Sequence, residues 1–415
     1  MKMIRLAWSL VGATLVVACS AEEEAEMAAL QARMGSIGAA DQSQGDDLQI
    51  HGEVGALSID EIEASLNEPG AHEPFVPEAP MGITSDLASL IPVDNPLTPA
   101  KVALGKQLYF DPRLSKDNTV SCASCHHPDM GWGDGSPVSK GIAGQMGGRS
   151  APTILNRILA PVQFWDGRAA SLEEQALGPI ANPVEMGFTA KEAAARLNRI
   201  EGYRIQFEAV FGGEATPGRI AQAIAAFERT VVGGASPYDF HIAAKYFHEM
   251  GWDEEDETPE EKAEREAILA LEREHPLSAS ARRGMALFFD KAECSLCHVG
   301  ENFSDELYYN IGIGFPSEAP DVGREGHTGN EKERGAFRTP TLRNIAETAP
   351  YMHDGSLRTL REVVEHYNKG GSPNPWQSDR IRPLKLTSEE IDDLVRFMEE
   401  GLQGTVVRVQ PPRLP

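Results

Sequence analysis

Cys122-Ala123-Ser124-Cys125-His126 decides how this chain is read, and it returns almost unchanged as Cys294-Ser295-Leu296-Cys297-His298. On a helical turn, residues at i, i+3 and i+4 share a face, so two thiols and one imidazole point the same way. That geometry suits covalent haem: the thiols form thioethers to the two vinyl groups of a porphyrin, and the adjacent imidazole reaches iron as proximal ligand. Structural zinc and redox disulfides are the rival readings. Spacing argues against zinc. The copies lie about 170 positions apart, whereas the ligands of zinc ribbons and fingers usually fall within ~30 residues. Cys122, Cys125, Cys294 and Cys297 are therefore expected to hold two haems c, with His126 and His298 on the irons.

The chain has 415 residues, 41% of them hydrophobic and 24% charged, enough for about two domains of ~150 residues plus tails. A formal net charge of −25 argues against nucleic acid, whose phosphates require clustered Lys and Arg, and is compatible with a basic redox partner. Residues 1–18 carry a positive start at Lys2 and Arg5 and an apolar run too short to span a membrane, so they read as a signal peptide. Val16-Val17-Ala18-Cys19 resembles a bacterial lipobox, which implies cleavage before Cys19 and a lipid on its sulfur. Cysteine arithmetic agrees, since four thiols go to haem and the fifth stands where a lipid belongs. Ser20, rather than Asp, leans the anchor towards the outer membrane of a periplasmic protein.

Residues 19–80 are rich in Ala, Glu, Gln, Gly and Pro and read as a flexible tether, with a short amphipathic helix at Leu57 to Leu66. Order is expected from about Leu87, and Thr98 to Phe110 makes the first firm helix, with Pro99 in its first turn. The glycine-rich stretch Pro128 to Ser150 is a loop. Helices follow at Ser171 to Leu177, Thr189 to Ile200 and Pro217 to Val232, the last with Ile220, Ile224 and Phe227 on one face. The charged run within 241–277 reads as a solvated helical insertion, and Ser278 to Phe289 as the helix that leads into the second pentapeptide. Thr387 and Glu390 form a capping box for a helix to about Met398. The divisions are thus 1–18, 19–80, 81–240, 241–277, 278–405 and a tail at 406–415.

From about residue 87 to 405 the chain resembles the bacterial di-haem cytochrome c peroxidase family, including its MauG branch. The resemblance rests on both pentapeptides, Phe164 to Arg168, Gln175, Pro179, Glu185, Arg338 to Asn344 and Pro350 to Gly355. It implies an all-α fold of two cytochrome c-like domains, each with one covalent haem c, sharing an interface that carries electrons. In resting members of the family a His from the glycine loop occupies the sixth position of the first iron. Here that position matches Ile142, and no His occurs between His127 and His241, so an open or water-bound iron is expected unless Met130, Met146 or Lys140 fills it.

By the same resemblance Glu185 moves the proton needed to break the O–O bond, Gln175 holds the bound oxygen, Pro179 shapes the pocket and Trp165 relays electrons between the haems. Taken alone, Glu185 is a turn carboxylate and Trp165 a packed indole. At the second haem the family's Met ligand is replaced by Tyr367, as in the MauG branch. A thioether raises the iron potential, whereas a phenolate stabilises oxidised iron. His366 and Met352 are competitors for that position. Carbonyls of Thr348 and Pro350, with Ser150 in place of the family's Asn, match a calcium site, and His353, Arg338 and Arg343 are expected near haem propionates.

The expected function is reduction of hydrogen peroxide to water with electrons from a small cytochrome c or cupredoxin. A MauG-like oxidation of residues of a partner protein and a plain di-haem electron carrier are the alternatives.

Overall fold

In the computed structural model, residues 49–249, 257–405 and 407–415 are described. The leader, the lipobox with Cys19 and the tether up to residue 48 lie outside them, as do residues 250–256 of the insertion. The described chain is helix-rich, with only four two-residue strands. Ser or Thr side chains cap most of the longer helices by accepting a hydrogen bond from a first-turn N–H. The helices are α1 (Ile59–Leu66), α2 (Pro99–Tyr109), α3 (Leu172–Ala181), α4 (Ala190–Leu197), α5 (Glu201–Phe211) and α6 (Pro217–Glu228). Then come α7 (Pro237–Glu249), α8 (Pro259–Glu274), α9 (Ala279–Phe289), α10 (Leu360–Asn368) and α11 (Ser388–Arg396).

Two hydrophobic clusters organise the helices. One gathers α2, α4, α5 and α6 with Trp132 and touches Cys122; the other gathers α9, α10 and α11 with Phe303 and touches Cys294. Each is built on one close helix crossing. A Cβ on Gly105 of α2 would sit 1.9 Å from the carbonyl oxygen of Ala223 in α6, and one on Gly284 of α9 would sit 1.9 Å from that of Asp393 in α11. Only glycine lets the backbones approach so closely. Phe227 and Phe397, each four residues further along, flank the two crossings.

The tether is shorter than its composition suggested. Ile62 and Leu66 of α1 are buried with Ala71 and Ala100, and strand β1 (Glu53–Val54) pairs in parallel with β4 (Arg413–Leu414) of the expected tail. A few well-placed apolar residues in a polar stretch suffice to dock it. The boundary placed at residue 241 falls inside α7, whose start is fixed to the body by the buried Asp239–Arg343 ion pair at 2.8 Å. Glu272 of α8 reaches His241 of α7 at 2.9 Å, so α8 lies back on α7 with its acidic face in solvent. The helix expected at Ser171 to Leu177 continues to Ala181, through Pro179. Residues 201–211 add a helix the periodicity did not announce. No described helix is long and apolar enough to cross a membrane.

Candidate di-haem site

Each pentapeptide forms a single 3-10 turn, Cys122–Ser124 or Cys294–Leu296, after which the chain brings its own histidine inward. His126 Nδ1 lies 3.3 Å from the carbonyl oxygen of Trp132, and His298 Nδ1 lies 2.9 Å from that of Phe303. A carbonyl only accepts, so in both rings Nδ1 carries the proton and Nε2 keeps its lone pair for a metal. Burial lowers both histidines, which keeps them neutral, and it raises the thiols, Cys125 to about 11 and Cys294 to about 12. Among the described residues no group of three or more His, Cys, Asp or Glu side chains is arranged to hold a metal ion by itself, which disfavours zinc and leaves the thiols for thioether linkage. All four cysteines and both histidines are deep enough for burial to dominate their titration, yet none is fully covered. Groups that are deep but incompletely packed line hollows, and the residues fit two covalent haems.

Beside the first motif, α3 ends at Asn182, and the turn that follows presents Glu185. Asn182 Nδ2 donates to Glu185 Oε1 at 2.7 Å, while Asn182 Oδ1 accepts from Val184 N at 3.0 Å. Burial raises Glu185 above the usual carboxylate range, opposed by the Asn182 bond and the charge of Arg168. Its charge is felt at Cys125, which places it near the haem attachment point. Gln175 and Pro179, four residues apart on α3, share a half-buried face. The glycine loop docks on the same turn: Ile142 N donates to Glu185 O at 2.8 Å, and the Ile142 side chain packs towards Gly187. Lys140 and Met146 bridge each other at the loop's exposed end, so neither is directed inward. Sequence reasoning missed Asn182; its place three residues before Glu185, at the end of a helix, was the available signal.

Trp165 sits where the two parts of the chain meet. Its Nε1–H donates to the Ser150 carbonyl at 2.8 Å, its own carbonyl accepts from Arg338 N at 2.8 Å, and Ser150 N donates to His353 O at 2.7 Å. The Ser150 peptide thus joins Trp165 to His353. His353 stacks on Phe337 at 3.6 Å between ring centroids, and burial lowers its titration to about 4. Ser150 is therefore close to His353, and Thr348 lies beside the start of the glycine loop at Gly131.

Beside the second motif, Tyr367 on α10 is raised well above the usual phenol value, first by burial and then by Cys297 and Cys294, which puts its phenol at that haem site. His366 points elsewhere: its Nε2 lies 2.8 Å from the Ile311 carbonyl and the ring is buried. It does not compete with Tyr367 here. Arg343 is likewise committed, with Nη1 and Nη2 on Asp239 and Nε on the Glu301 carbonyl, so it is not free for a propionate. Arg338 is buried and pairs with Glu306 at 2.9 Å.

The two parts also repeat beyond the pentapeptides. Pro152-Thr153-Ile154-Leu155-Asn156 matches Pro340-Thr341-Leu342-Arg343-Asn344, both Asn residues being left-handed at φ 59° and 55°. Gln163 bridges Ala169 around Trp165-Asp166-Gly167, and Tyr351 bridges Leu357 around His353-Asp354-Gly355. Ser171 and Thr359 then cap α3 and α10. Counted from those caps, Pro179 occupies in the first part the position of Tyr367 in the second.

A family model described as di-haem cytochrome c peroxidase matches residues 99–265. The chain is 38% identical over 328 residues to the methylamine utilization protein MauG of Methylorubrum extorquens, covering 78% of this chain and 84% of that protein. It is 38% identical over 332 residues to the cytochrome c551 peroxidase of Nitrosomonas europaea, covering 79% and 87%. The crystal structure of a MauG-like protein associated with microbial copper homeostasis superposes with a TM-score of 0.64 at 31% identity, over 80% of this chain and 94% of that one. The chain is an oxidoreductase that belongs to the di-haem cytochrome c peroxidase family, for which two haems c are implied.

Proposed function

We propose that this protein reduces hydrogen peroxide to water, with the pocket beside His126 as the peroxide site and the site beside His298 as the route for electrons from a small cytochrome c or cupredoxin. The observation that carries this reading is the half-buried Glu185 carboxylate, fixed by Asn182 next to the first motif. Haem, when bound, supplies the redox-active iron. Cleaving O–O requires a proton to pass from one peroxide oxygen to the other, and Glu185 can take it and return it. Its raised proton affinity favours taking the proton, and the Asn182 bond keeps Oε1 from turning away. Gln175 offers an amide N–H to the oxygen that stays, and Pro179 lends the pocket a wall without a donor atom.

Trp165 passes electrons between the two sites. Its N–H faces the Ser150 carbonyl, which cannot take a proton, so an indole that loses an electron keeps its proton and recovers cleanly. Tyr367, together with His298, would hold the iron of the second haem. Two cytochrome c-like domains, one around each hydrophobic cluster, fit this division of labour. Carbonyls of Thr348 and Pro350 with Ser150 would supply oxygen ligands for a calcium ion. The protein is placed in the periplasm, lipid-anchored at Cys19 to the outer membrane.

One observation favours the MauG-like reading: the phenol of Tyr367 lies at the second motif, where a phenolate would stabilise oxidised iron and suit oxidation of a partner protein. Steady-state assays with peroxide and a reduced cytochrome c decide between the readings. Rapid turnover is expected. Absence of turnover, with peroxide still consumed and a partner oxidised, would favour the MauG-like role, and absence of both would leave an electron carrier.

A further inference from the structure

The second motif carries a phenol–carboxylate pair that the mechanism above does not use. Tyr309 Oη donates to Asp305 Oδ2 at 2.7 Å. Asp305 is itself fixed: its Oδ1 accepts from Leu307 N at 3.0 Å, and its backbone N donates to the Cys297 carbonyl at 2.8 Å. The phenol and the Cys297 sulfur, the atom that would link the porphyrin, share Arg380, whose Nη1 lies 3.9 Å from that sulfur. Arg380 covers the outer face of the ring, its guanidinium carbon 5.3 Å from the ring centroid. Tyr309 is half-buried, and Leu296 and Leu307 beside it are 48% and 54% exposed. The pair therefore lies between the haem attachment on one side and an apolar, open surface on the other.

The neighbours make the chemistry specific. Tyr308, one residue earlier, has a buried hydroxyl with no hydrogen-bond partner among the described residues, so it has nowhere to put a proton. In the first part the same turn exists, with Asp134 Oδ1 accepting from Ser136 N at 2.9 Å, but Val138 stands where Tyr309 stands in the second. A phenol gives up an electron readily only if its proton leaves at the same time, and a carboxylate at 2.7 Å is positioned to receive it.

We propose that Tyr309, with Asp305 as its proton acceptor, is a proton-coupled electron relay between the second haem and the small redox protein that supplies electrons. The inference rests on the reading that peroxide is reduced at the first site. Reduction of one peroxide to two waters consumes two electrons and two protons. When no external donor is present, Tyr309 would supply one of those electrons and the haem iron, once bound, the other; the Tyr309 O–H proton moves to Asp305, leaving a neutral phenoxyl radical beside a neutral carboxylic acid. One electron from the small redox protein then restores the phenolate oxygen, and Asp305 returns the proton.

The test is freeze-quench EPR of the holoprotein after one equivalent of hydrogen peroxide without reductant, with residual peroxide measured in the same samples. A narrow organic-radical signal is expected, narrower still when the protein is grown with ring-deuterated tyrosine. Tyr309→Phe is expected to abolish the signal, Tyr308→Phe to leave it intact, and Asp305→Asn to slow its formation by about 10²-fold. Peroxide consumption is expected in all four proteins, because none of these residues belongs to the first site. A signal of equal amplitude in Tyr309→Phe, or none in the unaltered protein while peroxide is consumed, would overturn the relay. Failure of the unaltered protein to consume peroxide would instead overturn the reading beneath it.

Discussion

The two parts of this molecule share a frame and differ in how it is finished. Both cross two helices at a glycine, both tie the histidine Nδ1 to an aromatic residue's carbonyl, and both follow with a Pro-Thr block ending in a left-handed Asn. The first then places Pro179, which has no side-chain donor, where the second places the Tyr367 phenol. The first also adds a half-buried carboxylate at Glu185. Around its motif the chain closes: Ala123 is 0% exposed, His51 Nδ1 lies 3.0 Å from Ser121 Oγ, and Trp132 Nε1 donates to Val407 O at 3.0 Å from the C-terminal segment. Leu296 in the second motif is 48% exposed. A covered site with a proton-transfer group suits chemistry, whereas an exposed one suits exchange with a partner.

If that contrast is right, the largest effect comes from Glu185→Gln, which is expected to lower peroxide turnover by about 10²- to 10⁴-fold with haem content unchanged. Because burial raises Glu185, the acid limb of the unaltered protein's pH profile should lie above the usual carboxylate value, activity rising with pH as the base loses its proton. Turnover of the variant within twofold of normal would remove Glu185 from the mechanism. Pro179→Tyr tests the contrast from the other side. By giving the first part the donor the second has, it should convert a high-spin ferric EPR signal to low-spin and suppress turnover, and an unchanged spectrum would break the correspondence.

The shared frame predicts equal sensitivity at its two crossings. Gly105→Ala and Gly284→Ala should each destabilise by about 1–3 kcal/mol, read by thermal unfolding of the holoprotein, since each Cβ meets a carbonyl oxygen. A large loss at one position and none at the other would show that the two parts are not built alike. The smallest effect concerns Glu228, a buried carboxyl of the first part raised by burial from 4.5 to about 8. The unfolded chain gives up this proton before the folded one, so the stability it contributes is full below 4.5 and is lost as pH rises towards about 8. Glu228→Gln should therefore gain in melting temperature relative to the unaltered protein across that interval, and a constant difference would contradict the assignment.

Much of this was legible before any coordinates. The capping box at Thr387 and Glu390 announced α11 and is present as expected, because a Thr side chain satisfies a first-turn N–H wherever it falls, and α2 and α9 start one residue after the expected Thr98 and Ser278. Other features were hidden for physical reasons. The polar stretch before residue 80 reads as a tether because composition averages over Ile62 and Leu66, which pack with Ala71 and Ala100, and cannot show the pairing of Glu53–Val54 with the distant Arg413–Leu414. Asn182 escaped notice because its role is a hydrogen bond to Glu185 across a turn, which no periodicity encodes. The partners of Arg343, expected near a propionate, and of His366, named as a competitor of Tyr367, were not legible because a side chain's partner depends on which distant segment lies nearest, here Asp239 and Ile311.

By itself the sequence determined the chemistry that could be attached: two pairs of thiols, each with its histidine, because covalent linkage depends on residues a few positions apart in one turn. The tertiary structure decided which of those two places is enclosed and equipped with a carboxylate and which is left open to a partner. That choice rests on contacts between segments up to hundreds of residues apart, such as Trp132 with Val407, and on burial, which is a property of the folded whole.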